Sequence, residues 1–80
     1  MPPREQTSAR ARLHSLLRQI RVEAGLRQTD LARRLAKPQS FVSKYESGER
    51  RLDVLELREI CDALGLSLID FVRELEEGEM

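Results

Sequence analysis

Apolar side chains recur along this chain at intervals of three and four residues, and glycine or proline breaks each run. Leu13, Leu16, Leu17, Ile20 and Ala24 set the rhythm of a half-buried helix from about Ser8 to Ala24, with Gly25 placed for a left-handed C-terminal turn. Leu31, Ala32 and Leu35 predict a second helix over about Gln28 to Leu35, and a third runs from about Gln39 to Ser47 and stops at Gly48. The fourth opens with Asp53 and Glu56 at capping-box spacing, carries Leu57, Ile60, Cys61 and Leu64 on its inner stripe, and ends at Gly65. Ser67 caps a fifth, with Asp70 at its third position, which runs to about Leu75. Leu52 with Leu57, and Leu66 with Phe71, stand at the spacing of hydrophobic staples. The pattern predicts an all-α fold of five helices. One domain covers residues 8–76, between a flexible N-terminal arm at 1–7 ("MPPREQT", two prolines and no apolar period) and a frayed acidic tail at 77–80.

The third helix divides its two sides unusually. Val42, Tyr45 and Glu46 fall together on one side, and Gln39, Ser40, Ser43, Lys44 and Ser47 on the other. About three residues join helices 2 and 3. So short a link favours a crossed pair, the helix-turn-helix, over a long antiparallel contact. The third helix then lies across the domain surface with its polar side outward.

Composition adds a second signal. The chain has 80 residues and a formal net charge of zero, but the charge is segregated. Residues 1–51 hold twelve basic and five acidic side chains, whereas residues 52–80 hold two basic and nine acidic. Such a split points to nucleic acid or another charged partner for the basic half, where a plain solvated surface would mix the signs. The single cysteine, Cys61, rules out an internal disulfide framework and suits a reducing compartment. No apolar run approaches the roughly 20 residues of a membrane span, and no signal-peptide pattern opens the chain. The expectation is a soluble cytoplasmic protein associated with the nucleoid.

The stretch "GLRQTDLARRLAKPQSFVSKYESGERR", followed by "LGLSL" at 64–68, resembles the phage-repressor-like (Cro/XRE) helix-turn-helix family over about residues 13–75. The resemblance implies a compact lambda-repressor-like domain whose third helix enters the DNA major groove while the second lies across the backbone. By position it carries base contacts to Gln39, Ser40, Ser43 and Lys44. The residue chemistry agrees independently, since a glutamine amide matches adenine, a lysine donates to guanine, and serine adapts to several base edges. Gln28 at the start of helix 2, with Arg27, Lys37, Ser47, Arg50 and Arg51 around the same surface, are the expected phosphate contacts. Arg21 and Glu46 match a partly buried pair that joins helices 1 and 3 in similar repressors, with Arg21 turned towards the DNA backbone. Phe41, on the flank of helix 3, either meets a thymine methyl or covers the helix 2–3 junction, and packing is the reading preferred.

The chain departs from that family pattern in two places. Ala36 occupies the turn position where the family usually has glycine, and Pro38 stands near the usual Ser/Thr cap of helix 3. On helix 5, Leu66, Leu68, Ile69, Phe71, Val72 and Leu75 exceed what one face of a short helix buries within its own domain. Leu68, Ile69, Val72 and Leu75 are therefore the expected homodimer interface. His14 has no companion at metal-ligand spacing, Cys61 lies on an apolar stripe, and no nucleophile–base pair or phosphate loop appears, so neither metal, cofactor nor enzymatic activity is expected. The expected function is a dimeric regulator of transcription that binds an inverted repeat in double-stranded DNA. Phage or plasmid repressors, restriction–modification controllers and antitoxins all fit this description, with or without a partner protein. The alternative is a protein-interaction module, antitoxin-like or coactivator-like, on the same fold.

Overall fold

Five helices form in chain order: α1 (Arg4–Glu23), α2 (Gln28–Leu35), α3 (Gln39–Ser47), α4 (Val54–Leu64) and α5 (Leu68–Glu77). This computed structural model describes residues 4–78, with side chains from Ala9 onward. Helix α1 packs on α3 and α5, α2 packs on α3 and α4, and α4 packs on α5. Each helix gives the common core at least one buried side chain: Leu16 and Leu17, Leu31 and Ala32, Val42 and Tyr45, Ile60 and Cys61, and Phe71. These are the positions the three-and-four spacing selects.

The ends of α2, α3 and α4 fall where the sequence places them, and side-chain caps open α4 and α5. Asp53 accepts a hydrogen bond from the Glu56 backbone N–H at 2.8 Å, and Glu56 accepts from the Asp53 N–H at 3.0 Å, closing the capping box of α4. Ser67 Oγ accepts from the Asp70 N–H at 3.0 Å and caps α5. The first and last helices differ slightly from expectation. Helix α1 begins at Arg4 rather than near Ser8 and ends at Glu23, which leaves Ala24 exposed in the following turn, outside the buried stripe. Helix α5 continues to Glu77, two residues past Leu75. The parts of the expected arm and tail at residues 1–3 and 79–80 lie outside the described residues.

Residues 36–38 form the turn of the helix-turn-helix. Ala36 adopts φ 56° and ψ 42°, the left-handed conformation, and is the one described residue other than glycine with positive φ. Its N–H donates to the Arg33 carbonyl at 3.1 Å, and the Lys37 N–H donates to the Ala32 carbonyl at 3.0 Å, so the open end of α2 is satisfied by backbone alone. Pro38 precedes α3 in extended conformation and offers no side-chain cap, while its carbonyl accepts from the Phe41 N–H at 3.0 Å. Both departures from the family pattern are thus accommodated without opening the turn.

A side chain in left-handed backbone costs about 1–2 kcal/mol, more than the roughly 0.5–1 kcal/mol of extra chain entropy that glycine carries. Ala36→Gly should therefore raise the stability of the domain by about 0.5–1 kcal/mol, read as a higher urea midpoint with unchanged slope.

Candidate nucleic-acid interface

The rotation of α3 about its axis decides which residues can meet a ligand, and the core sets it. Val42 and Tyr45 are both fully buried, so Gln39, Ser40, Lys44 and Ser47 turn outward to exposed positions, and Ser43 stands half-buried beside them. Gly48 stops the helix at φ 86°. The four expected base-contacting residues thus share one outward side of α3, together with Ser47.

Arg21 and Glu46 meet beneath that side. Arg21 Nε donates to Glu46 Oε2 at 2.7 Å and Nη2 donates to Oε1 at 3.0 Å, a two-pronged pair whose side chains are only 9% and 3% exposed. Its remaining nitrogen, Nη1, donates to the Leu26 carbonyl at 2.7 Å. The hydrogen bonds it donates to Glu46 hold the Arg21 guanidinium above its ordinary pKa. The structure sets Arg21 further inward than expected: three of its five N–H groups donate inside the protein, and its side chain is only 9% exposed.

Glu46 also receives the Gln28 amide, whose Nε2 donates to Oε1 at 3.1 Å. Gln28 Oε1 in turn accepts from Gln39 Nε2 at 2.7 Å. A relay therefore runs from Arg21 through Glu46 and Gln28 to Gln39 on the outward side of α3. Here too the structure differs from the sequence expectation: the Gln28 side chain turns inward to this relay, leaving its backbone at the amino end of α2 as the group available to an anion. The relay was invisible to spacing, because Gln28 and Glu46 lie eighteen residues apart.

The expected phosphate contacts divide in the same way. Lys37 and Arg51 are exposed beside the turn and after α3. Arg27 is exposed and bridges Asp30 at 3.2 Å, a pair that costs little to open. Ser47 donates to the Lys44 carbonyl at 3.0 Å, within the last turn of α3. Arg50 is engaged elsewhere: Nη1 and Nη2 donate to the two Glu56 oxygens at 3.1 and 2.8 Å, and its guanidinium lies 4.7 Å from the Phe41 ring centre. Phe41 meets Tyr45 edge-on at 5.5 Å, so its ring packs over the junction.

Of the residues assigned to an interface on α5, Leu68 and Leu75 are half-buried and pack against the core, as does Leu66, and Phe71 is fully buried. Ile69 and Val72 remain exposed, at 71% and 40%, and Val54 and Leu55 on α4 are exposed apolar side chains that spacing alone did not single out. His14 is buried between α1 and α3, where desolvation, and then the charge of Arg10, lower its pKa. Burial pushes the Cys61 thiol up to about 11, which keeps it a neutral core side chain. Among the described residues no group of three or more His, Cys, Asp or Glu could hold a metal ion, and no helix is long and apolar enough to cross a membrane.

Comparison with known proteins agrees with the fold. Residues 17–71 match the model of a helix-turn-helix family. An XRE-family-like protein from Pseudomonas syringae pv. tomato is 41% identical, with 96% of this chain and 98% of that one covered at a TM-score of 0.83. The restriction–modification controller C.Esp1396I, solved as a tetramer in complex with its natural 35 base-pair operator, is 26% identical over 86% of this chain and 91% of its own, at a TM-score of 0.80. The clp gene regulator ClgR from Corynebacterium glutamicum is 27% identical, covering 88% of this chain and 74% of its own, at a TM-score of 0.77. No curated protein matches the chain.

The buried pair has a measurable signature. Glu46→Ala leaves a desolvated guanidinium without its counter-charge and should lower stability by about 3–5 kcal/mol in chemical denaturation. Arg73→Ala, which removes an exposed partner of Asp70, should change it by no more than about 1 kcal/mol.

Proposed function

The chain belongs to the helix-turn-helix family that its residues 17–71 match, and from that footing we propose that it is a transcriptional regulator which binds an inverted repeat in double-stranded DNA as a homodimer. The observation that carries this reading is the outward side of α3, where Gln39 is held ready by its hydrogen bond to Gln28 while Ser40 and Lys44 stand exposed. One N–H of the Gln39 amide is committed to Gln28. The second N–H and the carbonyl oxygen are left to meet adenine N7 and N6. Lys44 suits guanine N7 and O6, and the serines allow the helix to approach closely. Arg27, Lys37 and Arg51, with Ser47 and the free amino end of α2 at Gln28, grip the phosphates on either side and set the register.

A single α3 reads only a few base pairs, too few for selectivity among genomic competitors. Two copies related by a two-fold axis set two such helices about 34 Å apart on one face of the duplex. Ile69 and Val72 supply the apolar surface for that contact, with Leu68 and Leu75 beneath them closing the monomer core. The likeness to a controller solved as a tetramer on its operator, and to a gene regulator, supports both parts of the reading. The acidic residues of α4 and α5 then belong to the half of the chain that does not carry the DNA contacts, which reconciles zero net charge with a polyanionic ligand.

On an operator selected from random duplexes, Lys44→Ala should lose about 1–3 kcal/mol of discrimination at one base position. Arg51→Ala should instead weaken all sequences alike and reduce the slope of log affinity against log salt by about 1. Wild-type affinity that ignores both sequence and salt would exclude DNA as the ligand and favour a protein-docking role. Ile69→Arg should convert the dimer to a monomer in sedimentation at tens of micromolar, with helicity retained.

A further inference from the structure

We infer that Arg50 is a positioning residue and not a phosphate contact: together with Phe41 and Glu56 it forms a latch that holds the α3–α4 connection against the recognition helix and so sets where Arg51 meets the DNA backbone. This rests on the DNA-binding reading above. Three sets of contacts converge on Arg50. Its backbone N–H donates to the Lys44 carbonyl at 3.1 Å, tying the connection to the last turn of α3. Its guanidinium makes the two-pronged pair with Glu56, and Nη1 also donates to the Arg51 carbonyl at 3.0 Å, so the side chain grips the backbone of the very residue it precedes. Its guanidinium carbon lies over the Phe41 ring, which Lys37 approaches to 5.6 Å. Phe41 thus links the turn before α3 to the connection after it, and its contact with buried Tyr45 anchors both to the core.

Glu56 closes the device from the other side. The carboxylate that receives Arg50 also accepts the Asp53 N–H at the start of α4, so loop and helix cap share one acceptor. A phosphate reaching for Arg50 would have to displace a carboxylate already neutralised by it, and no lysine can reproduce a fork that engages two oxygens and an aromatic face at once.

The two roles predict opposite signs for one substitution. Glutamine at position 56 still completes the capping box, but it removes a negative charge near the DNA and releases Arg50. A latch requires Glu56→Gln to bind the selected operator about tenfold more weakly, and Arg50→Lys to lose as much despite keeping its charge. The double variant should be no worse than either single one, and in an Arg51→Ala background neither substitution should weaken binding further, because the latch acts through Arg51. Melting curves for each variant establish that it is folded at the assay temperature, where a purely stabilising pair would leave affinity unchanged. Tighter binding by Glu56→Gln, wild-type binding by Glu56→Gln or Arg50→Lys, or a further tenfold loss on adding Arg50→Lys to Arg51→Ala would each overturn the latch. A wild-type protein that fails to bind any duplex overturns the DNA reading itself, and the latch with it.

Discussion

The outward side of α3 depends on a charge that never reaches it. Glu46 is an acid on a helix meant to approach phosphates, and left alone it would repel them. Pairing with Arg21 neutralises it, and the desolvation of both groups is offset because each arm of the guanidinium finds an acceptor and each carboxylate oxygen finds a donor. The pair also ties α1 to α3 across twenty-five residues and, through the Leu26 carbonyl, ties the α1–α2 connection to both. Apolar burial of Val42 and Tyr45 sets the rotation of α3; this polar contact fastens it to α1 in that setting.

From there the hydrogen bonds pass outward in order. Glu46 receives Gln28, Gln28 receives Gln39, and Gln39 arrives at the surface with its amide plane already oriented. A long polar side chain on a solvent-facing helix normally samples several rotamers and gives up about 1.5–2 kcal/mol of entropy when a ligand holds it still. Here part of that cost is met in folding. The Phe41–Arg50–Glu56 contacts perform the corresponding service at the other end of α3, where a six-residue connection would otherwise be free to move.

Much of this architecture could be read directly from the chain, and the parts that could not have a common cause. Helices α2 and α3 and the capping box of Asp53 and Glu56 are local, set by spacing over three to five residues, whereas Ala36 stood out through resemblance, as the residue where the family usually has glycine. The buried pair, too, was legible only through resemblance. The inward turn of Gln28 was not legible, because its partners stand eleven and eighteen residues away and only the packing of α2 on α3 brings them together. Arg50 read as a phosphate contact because a cation after a recognition helix is the ordinary expectation, and the acid that claims it belongs to the next helix. On α5 the periodicity located the apolar residues but not their division. The packing of α5 on α4 and α1 decides that Leu68 and Leu75 face inward while Ile69 and Val72 do not.

The amide relay also bears on how this scaffold could be given a new target. Ser40 and Lys44 stand on their own and could be exchanged one at a time, with the hydrophobic interior undisturbed. Gln39 cannot be treated that way, since a replacement there strands the Gln28 carbonyl and, behind it, the set of Glu46. Transplanting another reading head onto this frame therefore means moving two amino acids from two different helices as one unit.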